Sequence, residues 1–457
     1  MVTGTGWPGG DPFLQRQNEP SIAVSSANPQ HLLAGANDYR SVDVPNSWNP
    51  GEKMAGDAWL GVFKSLDGGQ TWKSYLLPGF ALETPRTANS KLYVCGTDKL
   101  GKAVPCTSAA DPIVRAGPDG MFYFGGIVFN RSAIPATAKG NYGKVFLTRY
   151  IDLNNKEDGN AALSASAATD PIRYVDQKEV ALGGPDDFVD KPWVAIDIPR
   201  NTNTCKIVLP DAAKTTRTVA AHTVYVTYLR IVSGTQSDVM VRHSDDCGNS
   251  WSSAVKVSDG TSLANEGPSL AIDPVKGHVY VTWRRVGGLN PGQSDAIMLS
   301  RTFSHGNRFT RPRQVAVVKP FDQPTTAPTT DFPFQASFRV TLFPSSAISM
   351  DPTGVRRLHV AWSERADGTA YGNARVMVAT KRLSPPPVTE YEPDEDDTTC
   401  QRLDAPRAAD NRPVTADGEP LKFPMNGNLE FALGHQFMPS LTFSQGKLML
   451  VYYDSRL

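Results

Sequence analysis

The sequence is poor in several things, and each shortage removes a class of function. It has five cysteines, Cys95, Cys106, Cys205, Cys247 and Cys400, and none stands in a C-x-x-C pair. That spacing lacks the usual zinc signature. It has no excess of charge of either sign: Lys plus Arg is 46 and Asp plus Glu is 46. A nucleic-acid or anionic-membrane partner would favour a basic surface, so neither is expected. It has no run of about 20 apolar residues, the length needed to span a bilayer. The opening, MVTGTGWPGGDPF, has no basic end and no apolar core, so it does not read as a signal peptide. Neither G-x-S-x-G nor H-E-x-x-H occurs. GTDKLGKA (Gly96 to Ala103) nearly matches a phosphate-binding loop, but Ala103 stands where Ser or Thr would hold magnesium. No cofactor and no metal are expected. The acidic run Glu392 to Asp397 reads as a solvated loop within a Pro- and acid-rich insertion over 384–420.

What is present is a repeat. Six prolines each open an apolar run: EPSIAV at Pro20, DPIVRA at Pro112, KPWVAI at Pro192, GPSLAI at Pro268, FPSSAI at Pro344 and MPSLTF at Pro439. Each is followed by a turn and a second run rich in aromatic and β-branched residues, such as HTVYVTY from His222 and HVYVTW from His278. Runs of this composition read as strands, and proline fits the first residue of a strand, where its missing N–H does no harm. The runs are apolar on successive residues, which predicts burial on both faces. Spacings of 92, 80, 76, 76 and 95 residues between the prolines leave room for two further strands per unit. No segment carries a helical period over ten residues or more. Four-stranded units repeated radially make an all-β propeller. The expectation is one six-bladed β-propeller over residues 1–457, with blades starting near 18, 110, 190, 266, 343 and 437. The last blade is incomplete at the C-terminus, because its second strand runs almost to Leu457.

A second signature recurs between the third and fourth strands: SLDGGQTW, with Ser65, Asp67, Gly69 and Trp72, and SDDCGNSW, with Ser244, Asp246, Gly248 and Trp251. A weaker copy, TFSHGNRF from Thr302 to Phe309, has Ser304 in place of the Asp. The Asp accepts N–H groups inside a tight turn, the Gly permits positive φ, and the aromatic residue packs the turn onto its sheet. This is the Asp-box, and with the six units it makes the chain resemble the sialidase superfamily over nearly its whole length. In that family the boxes are structural.

Strand alternation places the loop before each first strand and the exit of each second strand on one face, where propellers usually bind ligands. Asn18, Glu19, Asp111, Asp190, Lys191, Asn265, Glu266, His435 and Gln436 stand before first strands. Arginines mark the exits: Arg40, Arg230, Arg284 with Arg285, Arg365 and Arg456. Two readings stay open for them. They grip a carboxylate or another anion bidentately, or they pair with nearby Asp and Glu and tie blades together. The same geometry puts Cys205 and Cys247 on one face and Cys95 and Cys106 in one loop. Two disulfides are expected from this, and with them an oxidising, extracellular or periplasmic setting.

The resemblance implies a tyrosine nucleophile paired with a glutamate, an aspartate acid/base and three arginines on the substrate carboxylate. Glu266 and Arg284 match the family's Glu and second Arg. Asp38 or Asp43 is the candidate acid/base, and Tyr452 and Tyr453 lie at the end of the next strand, from which they would substitute for the nucleophile only with a different funnel geometry. Two positions depart from the pattern. Asn18-Glu19-Pro20 replaces the motif that carries the first arginine, and Met438 stands where the tyrosine opens the last blade. The expected function is therefore directed at glycans: sialidase-type hydrolysis, or binding of a glycan or sugar-acid ligand without turnover. A protein-interaction scaffold is the third reading. A monomer is expected.

Overall fold

The computed structural model describes residues 17–39, 58–80, 83, 87, 90–97, 101–130, 142–154, 170–183, 187–233, 236–260, 264–287, 294–321, 341–365, 374–383, 407–408, 423–425, 428–430 and 436–454. The chain divides into two compact units, Met1–Lys256 and Val257–Leu457. Among the described residues the regular structure is β, apart from 3₁₀ pieces at Tyr39 and at Pro118–Gly120. No helix there is long and apolar enough to cross a membrane.

The first unit holds three four-stranded antiparallel sheets. Sheet one is β1 (Asn18–Val24), β2 (Leu32–Asp38), β3 (Trp59–Ser65) and β4 (Lys73–Leu76). A hairpin follows, β5 (Val94–Thr97) and β6 (Ala103–Pro105). Sheet two is β7 (Ser108–Ala116), β8 (Met121–Phe129), β9 (Gly143–Asp152) and β10 (Ile172–Leu182). Sheet three starts with β11 (Phe188–Ile196). It is interrupted by a hairpin, β12 (Thr204–Val208) and β13 (Thr216–Ala220), that the sequence pattern does not announce. It resumes with β14 (Val224–Ser233), β15 (Gln236–Ser244) and β16 (Val255–Lys256). The apolar runs behave as their composition predicts: every residue of β8 and β9 is buried. Leu33, Trp59, Leu60, Phe122, Phe124 and Phe146 form one core between sheets one and two, and Leu147, Val194 and Val226 belong to a second between sheets two and three. Each such side chain contributes roughly 1.5–3 kcal/mol when fully buried.

The second unit repeats the design. Sheet four is β17 (Ala264–Ile272), β18 (Val279–Val286), β19 (Ala296–Thr302) and β20 (Arg313–Val317). Sheet five is β21 (Ser345–Met350), β22 (Arg356–Arg365), β23 (Ala374–Leu383) and β24 (Arg407–Ala408). The two residues of β24 fall inside the segment read as an insertion, and they supply this sheet's outer strand. Two hairpins follow, β25 (Phe423–Met425) with β26 (Asn428–Glu430), and β27 (Gln436–Ser444) with β28 (Lys447–Asp454).

Two devices recur at the prolines. First, the residue before proline takes left-handed backbone inside the first strand: Glu19 (φ 52), Asp111 (φ 59), Lys191 (φ 46), Gly267 (φ 54) and Met438 (φ 52). The ladder register shifts there each time, between Asn18/Ser21, Ala110/Ile113, Asp190/Trp193, Glu266/Ser269 and Phe437/Ser440. The missing proline N–H makes a break in the ladder tolerable, and the chain bulges out. These residues thus lie within the first strands rather than ahead of them, as sequence reading had it. Glycine is required at 267, where a Cβ would lie 2.3 Å from the Phe343 ring. Second, a serine after proline ties its sheet to the next. Ser21 Oγ accepts the Val114 N–H (2.9 Å), Ser269 Oγ the Ser346 N–H (3.2 Å) and Ser345 Oγ the Leu441 N–H (3.0 Å).

The turns between third and fourth strands share one hydrogen-bond scheme. Ser65 Oγ accepts the Gly69 N–H at 2.8 Å, and Asp67 Oδ1 accepts the Thr71 N–H at 2.9 Å. In the second copy Ser244 Oγ accepts from Gly248 N at 2.9 Å and Asp246 Oδ1 from Ser250 N at 2.8 Å. In the third, Ser304 Oγ takes the Arg308 N–H at 3.0 Å, and the carboxylate is lost. Hydrogen bonds from Thr71 and Ser65 pull Asp67 down to about 2. At Asp246 burial pushes the other way, but Ser250, Ser244 and Asn249 outweigh it and hold the carboxyl low. Trp72 Nε1–H closes the first turn onto Gly69 O at 2.9 Å.

Both cysteine pairs are bonded. Cys95–Cys106 spans the β5–β6 hairpin with Cα atoms 5.0 Å apart. Cys205–Cys247 ties β12 to the turn after β15, with Cα atoms 6.3 Å apart.

Candidate functional site

The first unit brings together three residues that precede prolines. β1, β7 and β11 pack side by side, so their bulges turn Glu19, Asp111 and Lys191 toward one another. Lys191 Nζ lies 2.7 Å from Asp111 Oδ1 and 3.3 Å from Glu19 Oε1. Asn37 braces the group. Its Nδ2 donates to Glu19 Oε2 at 3.1 Å and to Asn18 Oδ1 at 2.7 Å, and its Oδ1 accepts the Asp111 N–H at 3.0 Å. The Glu19 side chain is 38% exposed, so the cluster opens to solvent. Burial and the neighbouring Asp111 raise the Glu19 carboxyl above its ordinary range, against the pull of Lys191 and Asn37. Burial alone would lower Lys191, but Asp111, Glu19 and Asp190 outweigh it and keep the amine charged. Holding three charged residues in left-handed backbone costs about 1–3 kcal/mol each, and strain of this kind gathers at functional sites.

In the second unit Glu266 and Arg284 are cross-strand partners, as their places in the repeat predict. Arg284 Nη1 lies 3.4 Å from Glu266 Oε2, but the closer partner is Asp295, whose Oδ1 is 2.7 Å from Nη2 and 2.8 Å from Nε. Arg284 is buried, while the Glu266 side chain is 39% exposed. Beside it Trp283 Nε1–H donates to Asn265 Oδ1 at 2.8 Å. At the exit of β22, Trp362 Nε1–H donates to Glu364 Oε2 at 3.0 Å. Burial raises the Glu364 carboxyl despite that bond.

The remaining arginines have local partners that their sequence positions did not reveal. Arg230 Nε lies 2.5 Å from Asp187 Oδ2. Arg285 Nη2 donates to Gln314 Oε1 at 3.3 Å. The Arg365 guanidinium sits over the Phe321 ring, 4.9 Å from its centroid. Asp187, Asp295 and Phe321 lie in connecting segments, where the repeat gives no signal. Asp38 is buried, with its Oδ2 3.5 Å from the Gln17 amide. Tyr452 packs against an apolar cluster of Ala347, Ala361, Val376 and Leu441. Arg40, Asp43, His435, Arg456, Cys400 and the run 392–397 lie outside the described residues.

No protein-family model and no curated protein matches the sequence. Solved structures do. A Trypanosoma rangeli sialidase in complex with the inhibitor DANA is 11% identical, with 96% of this chain and 52% of that chain covered and a TM-score of 0.46. A protein of unknown function from Dyadobacter fermentans DSM 18053 is 12% identical, with 96% and 91% covered and a TM-score of 0.43. The Hadza microbial sialidase Hz136 is 12% identical, with 96% and 63% covered and a TM-score of 0.43. The chain spans about half the length of the first of these and under two thirds of the third.

Proposed function

We propose that this chain is a six-bladed propeller of the sialidase type that binds glycans at the end of its blades where the bulges and the second-strand exits gather. The observation that carries the reading is the meeting of the Glu19, Asp111 and Lys191 side chains from three successive sheets, each on left-handed backbone and with Glu19 open to solvent. The Asp-box turns and the proline-led repeat support the propeller, and the two disulfides support an extracytoplasmic setting.

Binding stands ahead of turnover. Tyr452 is taken up in core packing, Met438 stands at the nucleophile's place, and Asn18 stands where the first arginine would be. Sialidase-type hydrolysis rests on the Glu266–Arg284 pair. One experiment separates the two: hydrolysis of a fluorogenic sialoside, with Arg284→Ala beside it, run together with a glycan array. Array binding without hydrolysis is the expected outcome. Turnover that disappears in Arg284→Ala would replace the binding reading with the enzymatic one. Neither binding nor turnover by folded protein would leave the interaction scaffold.

A further inference from the structure

We infer that the glycan is one without a carboxylate, held through its hydroxyl groups by protein carboxylates rather than gripped as an anion by arginine. The inference rests on the glycan reading above and names the ligand class. An anion grip needs a guanidinium whose fork can turn to the ligand. Each of these described exit arginines has a protein partner, Arg230 through Nε with Asp187 and Arg285 through Nη2 with Gln314, and the fork of Arg284 is taken up by Asp295 and Glu266. Arg365 sits over the Phe321 ring. Arg284, the arginine that matches the family's pattern, has only 4% of its side chain exposed. A ligand carboxylate would have to displace Asp295 from it, in a buried place where an unpaired charge is costly.

Arg230 is half-exposed with its Nε held by Asp187, but the exposed members of the two carboxylate clusters carry the opposite sign. In the first unit one ammonium serves two carboxylates, those of Glu19 and Asp111. In the second unit one guanidinium serves Glu266 and Asp295, and Glu266 is again the exposed member. Each cluster therefore keeps a net negative charge. Each also presents a carboxylate held in place by a cation behind it, which is the arrangement that accepts sugar O–H groups. A sugar acid approaching within a few ångströms meets like charge, enough to weaken binding by about tenfold or more.

The test uses the full chain on an array that carries the same oligosaccharide backbones in neutral, amino and acidic forms. Titration of one neutral oligosaccharide and its sialylated counterpart follows, at two salt concentrations. The expected result is binding of the neutral form, little dependence on salt, and affinity for the acidic form about tenfold lower or worse. Glu19→Gln should weaken neutral-glycan binding several-fold and narrow the gap to the acidic form. Equal or tighter binding of the sialylated form, weakened by salt, would overturn the inference while leaving the glycan reading intact. Binding to no glycan of any charge would remove both. The titrations on the unaltered protein decide the question even if Glu19→Gln fails to fold.

Discussion

The two disulfides differ in the length of chain they close, and that difference sets a measurable order. Cys95 and Cys106 are 11 residues apart, and Cys205 and Cys247 are 42 apart. Loop-closure entropy in the unfolded chain then gives about 3 kcal/mol for the short bridge and about 4 kcal/mol for the long one. Removing Cys205–Cys247 should therefore cost the more, and the loss should appear first in the β12–β13 hairpin, which that bridge ties to the turn after β15. Backbone conformation adds a second effect. Cys247 has φ 58 and is followed by Gly248, while the corresponding position of the first box turn is Gly68, with φ 73. Glycine at 247 removes a left-handed penalty of about 1 kcal/mol that serine keeps. The Cys205→Ser/Cys247→Gly protein should thus be about 1 kcal/mol more stable than Cys205→Ser/Cys247→Ser, and both less stable than the parent. Urea unfolding followed by tryptophan fluorescence gives the free energies, and hydrogen exchange locates the loosened segment. The reasoning fails if losing the short bridge costs more than losing the long one, or if glycine at 247 shows no advantage over serine.

Three further outcomes follow from particular contacts. Asp273 and Arg356 form a buried ion pair in the second unit. Asp273→Asn keeps an Oδ1 acceptor for the Val275 and Lys276 N–H groups but strands the arginine, and it should cost about 3–5 kcal/mol in a denaturation titration. Ser304→Asp restores the carboxylate that the other two box turns use, so it should stabilise the TFSHGNRF turn by about 1 kcal/mol, read as slower exchange of the Arg308 amide. His278 and His359 are each pushed down to about 4: His278 by burial and Arg301 against the pull of Asp273, and His359 by burial and Arg357. The unfolded chain then takes up their protons first. Their share of the stability should be lost as pH drops from about 6.5 to about 4, below which the depressed carboxyls such as Asp67 continue the decline, and His359→Gln should flatten part of the upper slope in melts across the range.

The repeat was legible in the sequence because its cause is local. A proline that cannot donate to a ladder marks the break in five of the six first strands, β21 being unbroken, and doubly apolar runs mark strands covered on both faces, as the wholly buried β8 and β9 are. The box turns could be read for the same reason, since Ser65, Asp67 and Gly69 satisfy one another within five residues. The cysteine pairing followed from the order of strands. The β12–β13 hairpin was not legible, because an insertion between strands leaves the repeat on either side unchanged.

The sequence by itself determined the proline-led strands, the strands that follow them and the box turns, which depend on neighbours a few residues apart. Tertiary structure alone decided what the charged residues do. Lys191 reaches Glu19 across 172 residues, and Arg356 reaches Asp273 across 83. Arg284, buried between Glu266 and Asp295, looks in sequence much like the half-exposed Arg230. Strand patterning fixes which face a side chain takes. The charge that meets it there depends on which distant segment the packed sheets bring alongside.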